Sequence, residues 1–318
     1  MPKLNTMEVK MSDDKGNISY SRLFTLGLFM GTADAVPGVS GGTIALIMGI
    51  YRRLIRSISE CLDFVKNGFS PASKSDFISS INFLLPLGIG MLFAYYIVTK
   101  ILVGPEDSPG FLRKESTAPY IFAFFFGLVL VSVREPWSFV PNPDYKHYSL
   151  AFFGVFVVFI YSSFSVDSEG SHILFIIGGA FALTAMLLPG VSGALVLLTL
   201  GQYTVIASSF HGGDLEPFFF LVIGGIIGLF TFVPLMNYMI SKYLDTTMAM
   251  LSGLMFGSLI TLWPWKKNYD GEGLSPNLEI SQIIDNFTGA SLFLTFLCLI
   301  VGMFSSYGLK HLEIKKAD

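Results

Sequence analysis

Charged side chains are scarce in this sequence. Asp, Glu, Lys and Arg make up 14% of its 318 residues, against about 25% in an ordinary soluble domain. They cluster in short stretches between apolar runs, so the net charge of −3 says little about partners; the sequence shows no basic face that could bind nucleic acid. With 52% hydrophobic residues and a mean hydropathy of +0.63, the sequence predicts an all-α polytopic membrane protein.

Cysteine and histidine are also sparse. Cys61 and Cys298 lie near opposite ends of the chain, and the four histidines are scattered. Neither residue type has the spacing of a disulfide framework or a metal site. The sequence therefore predicts no metal and no organic cofactor.

Apolar runs account for most of the chain. We interpret all of them as helices, because lipid leaves no alternative for runs this long that lack a period of two. The runs cover residues 22–56, 79–103, 118–133, 148–166, 172–209, 218–241, 248–264 and 288–309. Residues 1–20 are polar and lack the apolar core of a secretory signal, so we expect them to form a cytoplasmic tail.

Two of these runs are related to each other. "GTADAVPGVSGGTIALIMGIY" (31–51) and "LTAMLLPGVSGALVLLTLGQY" (183–203) share PGVSG together with the flanking Thr-Ala and Gly-x-Tyr. Pro37 aligns with Pro189 at an offset of 152 residues. Because three further apolar runs follow each copy, the sequence indicates an internal repeat.

The flanking charges predict how the first copy lies in the membrane. Its arms on either side of the break are about fifteen residues long, which gives roughly 22 Å of helix, short for a hydrocarbon core of about 30 Å. Each broken segment is therefore expected to be a re-entrant hairpin; the alternative of two short full spans would leave the orientation of the following helices unchanged. Arg22 before it and Arg52, Arg53 and Arg56 after it place both of its ends in the cytoplasm.

Three ordinary spans then reverse the orientation of the second copy. The prediction is two inverted repeats, each made of a re-entrant hairpin and about three transmembrane helices, which is the plan of alternating-access transporters. Both termini are then cytoplasmic. The predicted division is a cytoplasmic tail (1–20), a first membrane repeat (21–167), a second, inverted repeat (168–310) and a cytoplasmic tail (311–318). Four cations on the outer side run against the positive-inside rule: Arg113, Lys114, Lys266 and Lys267.

The breaks themselves predict a polar site. Proline and glycine can interrupt a helix at mid-membrane only where the freed backbone groups face protein or water. The helix after each break offers N–H groups and the positive end of its dipole to an anion such as a phosphate or a carboxylate. The candidate ligands are Gly38, Ser40, Gly41, Gly42 and Thr43 in the first repeat and Gly190, Ser192 and Gly193 in the second, with Pro37 and Pro189 as helix breakers. In the alternative interpretation, PGVSG makes only a tight turn for helix packing.

Asp34 lies three residues before the first break, inside an apolar segment, where a carboxylate is expensive and by default functional. Its counterpart in the second repeat is Met186, so the site is asymmetric. We expect Asp34 to couple transport to H⁺ or Na⁺; the alternative is a structural carboxylate that caps a helix. Arg52, Arg53 and Arg56 either guide an anion toward the site or serve only as topology signals.

The motifs ADAVPGVSGGTIALIMGIY and PGVSG…LGQY resemble the bacterial polyprenyl-phosphate transporters, a family formerly catalogued as domain-of-unknown-function family 368. The resemblance covers residues from about 20 to 310. It implies a flippase that returns undecaprenyl phosphate from the outer to the inner leaflet of the bacterial cytoplasmic membrane, where this lipid carrier is recycled for cell-wall synthesis. The resemblance assigns function to Asp34 and to both PGVSG motifs. The second repeat has Ala194 and Leu195 in place of Gly42 and Thr43, so the two breaks are not equivalent.

Two other functions stay open on the residues alone. A polyprenyl-pyrophosphate phosphatase would be an enzyme with a similar plan, but its Pro-Gly-x-Ser turn continues with Ser-Arg, whereas here it continues with Gly. No Arg, His or second carboxylate lies beside either motif to supply acid–base chemistry, so we expect no enzyme. A small-anion or ion transporter would use the same breaks and Asp34, and only the family resemblance favours a lipid substrate.

Overall fold

The computed structural model describes residues 18–104, 108–163, 171–202, 205–206, 215–269 and 275–311. Across these residues the fold is all-α, and the one β-type contact is an antiparallel bridge between Lys266 and Asn277. The all-helical membrane architecture predicted from the sequence is confirmed. Most of the two predicted tails lies outside the described residues.

The helices follow the apolar runs. The first half contains α1 (Tyr20–Asp34), α2 (Gly41–Ile47), α3 (Tyr51–Lys66), α4 (Lys74–Leu102), α5 (Ala118–Ser132), α6 (Arg134–Trp137) and α7 (Tyr145–Ser163). The second half contains α8 (His172–Leu187), α9 (Gly193–Thr199), α10 (Glu216–Lys242), α11 (Leu244–Ser258), α12 (Ile280–Asn286) and α13 (Gly289–His311). Four helical segments are long and apolar enough to cross a membrane: Pro71–Leu102, Ala118–Trp137, Glu216–Lys242 and Gly289–His311.

Both PGVSG motifs break a helix in the same way. The first separates α1 from α2, and the second separates α8 from α9. Each turn places its glycine in the left-handed region, with φ of 91° at Gly38 and 82° at Gly190. A second pair, Gly49 and Gly201, has φ of 72° and 65° and ends the short helix that follows each break. The repeat in the sequence is therefore also a repeat of backbone conformation.

One difference from the sequence prediction concerns the arm after the first break. A continuous arm of about fifteen residues is wrong: α2 ends at Ile47 after seven residues, because the left-handed conformation of Gly49 terminates it. The chain restarts as α3, an amphipathic helix that buries Tyr51 and Ile55. The three arginines that follow the first break belong to this separate helix and not to the hairpin: Arg52, Arg53 and Arg56.

Glycines bring four pairs of helices into close contact. In each pair, a glycine on either helix lies against a backbone carbonyl of the partner, and a Cβ at that position would overlap the carbonyl oxygen. Small residues of this kind allow membrane helices to approach closely and gain van der Waals contact. The contacts are Gly27–Leu87 and Gly90–Phe24 in α1·α4, Gly179–Leu221 and Gly224–Ile176 in α8·α10, Gly127–Leu299 and Gly302–Phe124 in α5·α13, and Gly253–Ala151 and Gly154–Met250 in α7·α11.

The helices of each pair run in the same direction. In each pair, a contact that lies further along one helix also lies further along its partner. The successive contacts are Gly27–Leu87 and Gly31–Met91 in α1·α4, Gly224–Ile176 and Gly228–Ala180 in α8·α10, Tyr120–Ser291 and Ser132–Ser306 in α5·α13, and Gly154–Leu254 and Gly257–Val158 in α7·α11.

Two glycines of α13 test this packing. Gly302→Ala should destabilise the protein by about 1–3 kcal/mol, the usual range for overpacking, because its Cβ would overlap the Phe124 carbonyl. Gly308→Ala should be neutral or slightly stabilising, because nothing lies within 4 Å of the added Cβ and alanine is the better helix former. Thermal unfolding of both purified variants in detergent measures the difference, and equal melting temperatures would contradict the close packing at Gly302.

Candidate functional site

The two helix breaks contact each other directly. The Ser40 hydroxyl donates to the Met186 carbonyl at 3.1 Å, and the Gly190 N–H donates to Thr43 Oγ1 at 2.9 Å. Ser40 and Thr43 are fully buried. Residues that lie about 150 positions apart in the sequence therefore satisfy each other's backbone groups, as the membrane interior requires.

The first break is also closed by its own side chains. Asp34 Oδ1 accepts a hydrogen bond from the Gly41 N–H at 2.6 Å, and Ser40 Oγ accepts from the Gly42 N–H at 3.1 Å. The carboxylate lies so close to Gly41 that a Cβ there would overlap it. In this conformation the Asp34 carboxylate occupies the position at the start of α2 where the sequence predicts a bound anion. The anion-binding role of these residues stays a prediction.

The second break has the same geometry with different chemistry. The Met186 side chain lies against Gly193 as the Asp34 carboxylate lies against Gly41. Ser192 Oγ accepts from the Leu195 N–H at 3.5 Å and caps α9. The asymmetry expected from the sequence is thus an exchange of a carboxylate for a thioether at one structural position.

Asp34 has one oxygen without a protein partner. Its Oδ2 atom is buried and makes no hydrogen bond, whereas Oδ1 caps α2. A buried carboxylate oxygen left in this way is costly unless it carries a proton or contacts a cation. The structure thus shows the capping role, and H⁺ or Na⁺ binding by Asp34 stays a prediction.

The three arginines predicted to guide an anion lie elsewhere. Arg53 stacks over the Phe83 ring at 4.5 Å. Arg56 pairs with Glu60 at 3.2 Å on the same helix. Neither they nor Arg52 belong to the lining of the cavity that adjoins the two breaks.

That cavity has a volume of about 480 Å³ and extends from the breaks to the loops before α5 and after α11. At one end it is lined by Pro37 of the first break and by Ala194 and Leu195 at the start of α9. Its apolar wall consists of Val103, Leu112, Phe122, Leu198 and Ile260. Most of its polar lining residues, which we call the polar end, come from the loops before α5 and after α11: Arg113, Thr261, Lys266, Asn268, Ser275 and Asn277; Ser162 and Ser163 of α7 also line the cavity.

Two cations of this polar end, Arg113 and Lys266, appear in the sequence only as exceptions to the positive-inside rule. Lys266 Nζ donates to Asn277 Oδ1 at 3.3 Å and lies 5.2 Å from the centre of the Phe122 ring. Burial lowers the pKa of Lys266 to about 8. An exception to the positive-inside rule was therefore the available sequence signal for a cation that lines the cavity.

In the described part of the chain, no group of three or more His, Cys, Asp or Glu side chains is arranged to hold a metal ion. Cys61 and Cys298 are both free thiols.

Comparison with known proteins identifies the family of the chain that carries these breaks and this cavity. A family model described as undecaprenyl phosphate translocase-like matches residues 30–275. The chain belongs to this family. The matched region contains both PGVSG motifs, Asp34 and the loop that carries Lys266, and the family membership predicted from the motifs is confirmed.

Two members of the translocase-like family are named as curated relatives. A polyprenyl-phosphate transporter of Vibrio cholerae is 33% identical over 256 residues, which cover 79% of this chain and 80% of the relative. A polyprenyl-phosphate transporter of Staphylococcus aureus is 29% identical over 259 residues, which cover 75% of this chain and 84% of the relative. No solved structure matches the chain.

The contact between the breaks can be tested at Thr43. Thr43→Val keeps the side-chain shape but leaves the buried Gly190 N–H without an acceptor, which should destabilise the protein by about 1–3 kcal/mol. Thr32→Val is the matched control, because the Thr32 hydroxyl bonds only to the Leu28 carbonyl of its own helix. Chemical unfolding in detergent compares the two, and equal stability losses would contradict a specific role for the cross-break hydrogen bond.

Proposed function

We propose that this protein is a flippase that moves undecaprenyl phosphate, or a related polyprenyl phosphate, from the outer to the inner leaflet of the bacterial cytoplasmic membrane, where the carrier is recycled for cell-wall synthesis. The observation that carries the proposal is the cavity beside the joined breaks, which has an apolar wall and a cationic end. A polyprenyl phosphate has the same division into an apolar chain and an anionic head. The names of the two relatives support this substrate class.

The lining of the cavity favours transport of a lipid over the other functions. Among the residues that the structure describes, no carboxylate and no histidine lines the cavity, so this part of the chain supplies no general acid or base for phosphate-ester hydrolysis there. The apolar wall would contribute nothing to the binding of a small inorganic anion. This wall is formed by Leu112, Phe122, Leu198 and Ile260. These apolar side chains suit the first isoprene units of a lipid tail.

The helix contacts support two structural repeats. Gly27–Leu87 and Phe24–Gly90 correspond to Gly179–Leu221 and Ile176–Gly224 at offsets of 152 and 134 residues. Gly127–Leu299 and Phe124–Gly302 correspond to Gly253–Ala151 and Met250–Gly154 at offsets of 126 and 148 residues. In this correspondence α1, α4, α5 and α7 match α8, α10, α11 and α13.

The helix directions support an inversion of the second repeat. We take α5 and α7 as consecutive spans, which would cross a membrane in opposite directions. α11 is the counterpart of α5, but it runs parallel to α7; it therefore crosses in the opposite direction to its counterpart. The same holds for α13, which is the counterpart of α7 and runs parallel to α5. Inverted repeats with broken helices are the plan of alternating-access transporters.

Cysteine labelling of intact cells tests the inversion. With Cys61 and Cys298 replaced by serine, a cysteine at Glu115, between α4 and α5, should react with an impermeant thiol reagent from outside. A cysteine at Lys242, at the end of α10 in the corresponding turn of the second repeat, should react only after the membrane is permeabilised. Labelling of both positions from the same side would exclude inverted repeats.

Asp34 is proposed to couple this transport to H⁺ or Na⁺. Support comes from its unpartnered, buried Oδ2 atom at the point where the two repeats meet. Proton or cation binding there would change the charge beside the cavity end of the first break and thereby bias one conformation over the other.

Proteoliposomes test the function and the coupling together. The wild-type protein should move labelled undecaprenyl phosphate between leaflets and release no phosphate from undecaprenyl pyrophosphate. Asp34→Asn should fold, because the amide oxygen can still accept from the Gly41 N–H, but should lose at least about tenfold of the gradient-driven rate. Asp63→Asn, an exposed change on α3, should retain it.

Two results would count against these assignments. If the wild-type protein moves no labelled lipid phosphate, the proposed function fails. If Asp34→Asn transports at the wild-type rate with the wild-type dependence on pH and Na⁺, Asp34 is structural only.

A further inference from the structure

We infer that Lys266 binds the phosphate monoester of the substrate at the polar end of the cavity, with Asn277 and Arg113 completing the site. The inference rests on the proposed function, because it takes the lipid phosphate as the ligand. It adds a binding residue that lies about 75 positions beyond the second PGVSG motif in the sequence.

The partners of Lys266 indicate a cation with spare binding capacity. Its one hydrogen-bond acceptor is the neutral Oδ1 of Asn277, at 3.3 Å. Within the described residues, no carboxylate lies within ion-pair distance of Lys266, whereas Lys310 pairs with Glu135 at 2.6 Å. An ammonium group has three donors, and a partly desolvated cation without an anion is costly. A phosphate at this point would supply the missing acceptors and charge.

The loop around Lys266 holds the ammonium group in place. The Tyr269 hydroxyl accepts from the Lys266 N–H at 3.0 Å and donates to the Pro264 carbonyl at 2.6 Å. The Lys266–Asn277 bridge joins the two sides of the loop, and Asn277 Nδ2 donates to the Ile260 carbonyl at 2.8 Å. The cationic end is therefore built before a ligand arrives, and this lowers the entropy lost on binding.

Thr261 connects this cationic end to the first break. Its hydroxyl approaches Gly38 so closely that a Cβ on Gly38 would lie 2.7 Å from Oγ1. Thr261, Lys266 and Pro37 all line the same cavity. A phosphate held by Lys266 would thus occupy the same space that reaches the junction of the two repeats, and the apolar wall beside Phe122 would receive the start of the tail.

The geometry gives binding a defined pH dependence. Burial lowers the pKa of Lys266 to about 8, so raising the pH above 8 removes the positive charge, whereas a phosphate monoester with a second pKa of about 6 stays dianionic. Among the described residues, the other titratable groups that line the cavity are Arg113 and Tyr269; burial, together with the nearby Glu115 carboxylate, raises the pKa of Tyr269 to about 12. Binding should therefore weaken above pH 8.

Binding of undecaprenyl phosphate to the purified full-length protein in nanodiscs tests the assignment. Lys266→Gln should weaken binding at least tenfold, whereas Lys267→Gln, at the exposed neighbouring position, should change it less than twofold. Lys266→Arg should bind at neutral pH and keep its affinity above pH 8, because a guanidinium stays charged there. A purely structural role for Lys266 would not produce this change in the pH profile.

Three outcomes would overturn the inference: wild-type affinity in Lys266→Gln, equal binding of uncharged undecaprenol by the wild-type protein, or equal affinity for inorganic phosphate, which would make free phosphate the ligand. The wild-type transport assay is run on the same preparation. If the wild-type protein transports while Lys266→Gln still binds normally, this inference fails and the proposed function stands. If the wild-type protein does not transport, the proposed function itself fails.

Discussion

Broken helices in a membrane need a protein partner for every backbone group that they release, because lipid offers neither donors nor acceptors. This requirement fixes the centre of the structure. The Gly190 N–H finds its acceptor on Thr43, and the Met186 carbonyl finds its donor on Ser40, so each break supplies what the other lacks. The breaks must therefore lie against each other, and the remaining helices must hold them at hydrogen-bonding distance.

Glycine packing provides that support. Hydrophobic burial does not drive helices together in lipid, so close van der Waals contact between small residues has to do so. The helices that carry these contacts have two different faces: α4 places Gly90 against α1 while Leu92 is 72% exposed, and α13 places Gly302 against α5 while Phe304 is 70% exposed. The outward aromatic and aliphatic side chains suit a lipid environment, and the glycines set the distance between backbones. The polar contacts at the breaks depend on this distance.

How far the sequence predicts this structure depends on how local each feature is. The spans and the two PGVSG breaks follow from apolar runs and from a repeated motif, and both can be read directly. The sequence did not predict the boundary between α2 and α3. In the sequence, Gly49 cannot be distinguished from an ordinary glycine inside an apolar run, and its helix-ending conformation is visible only in the structure. The sequence did not single out Lys266 beyond its topology, because Phe122, whose ring it faces, lies in a distant segment and its contact with Asn277 depends on how one loop folds. For Asp34 the residue type alone allowed both a cap and a coupling group; the structure shows that Oδ1 caps α2, and the coupling role stays a prediction.

The two halves share a backbone plan but differ in the side chains at the proposed binding and coupling positions. This difference limits the role that each residue can have in transport. Met186 stands in place of Asp34, and Lys266 gives one end of the cavity a cation. A binding residue of this kind can raise the affinity for phosphate on one side and speed its entry, but it cannot by itself drive net movement, since a ligand shifts an equilibrium only by its differential affinity for the two states. Net return of a lipid phosphate to one leaflet therefore requires either a gradient that acts on a titratable or cation-binding group or continuous removal of the lipid on the receiving side. Under the proposed function, Asp34 would meet the first requirement, because its buried Oδ2 atom lies beside the contact between the two breaks.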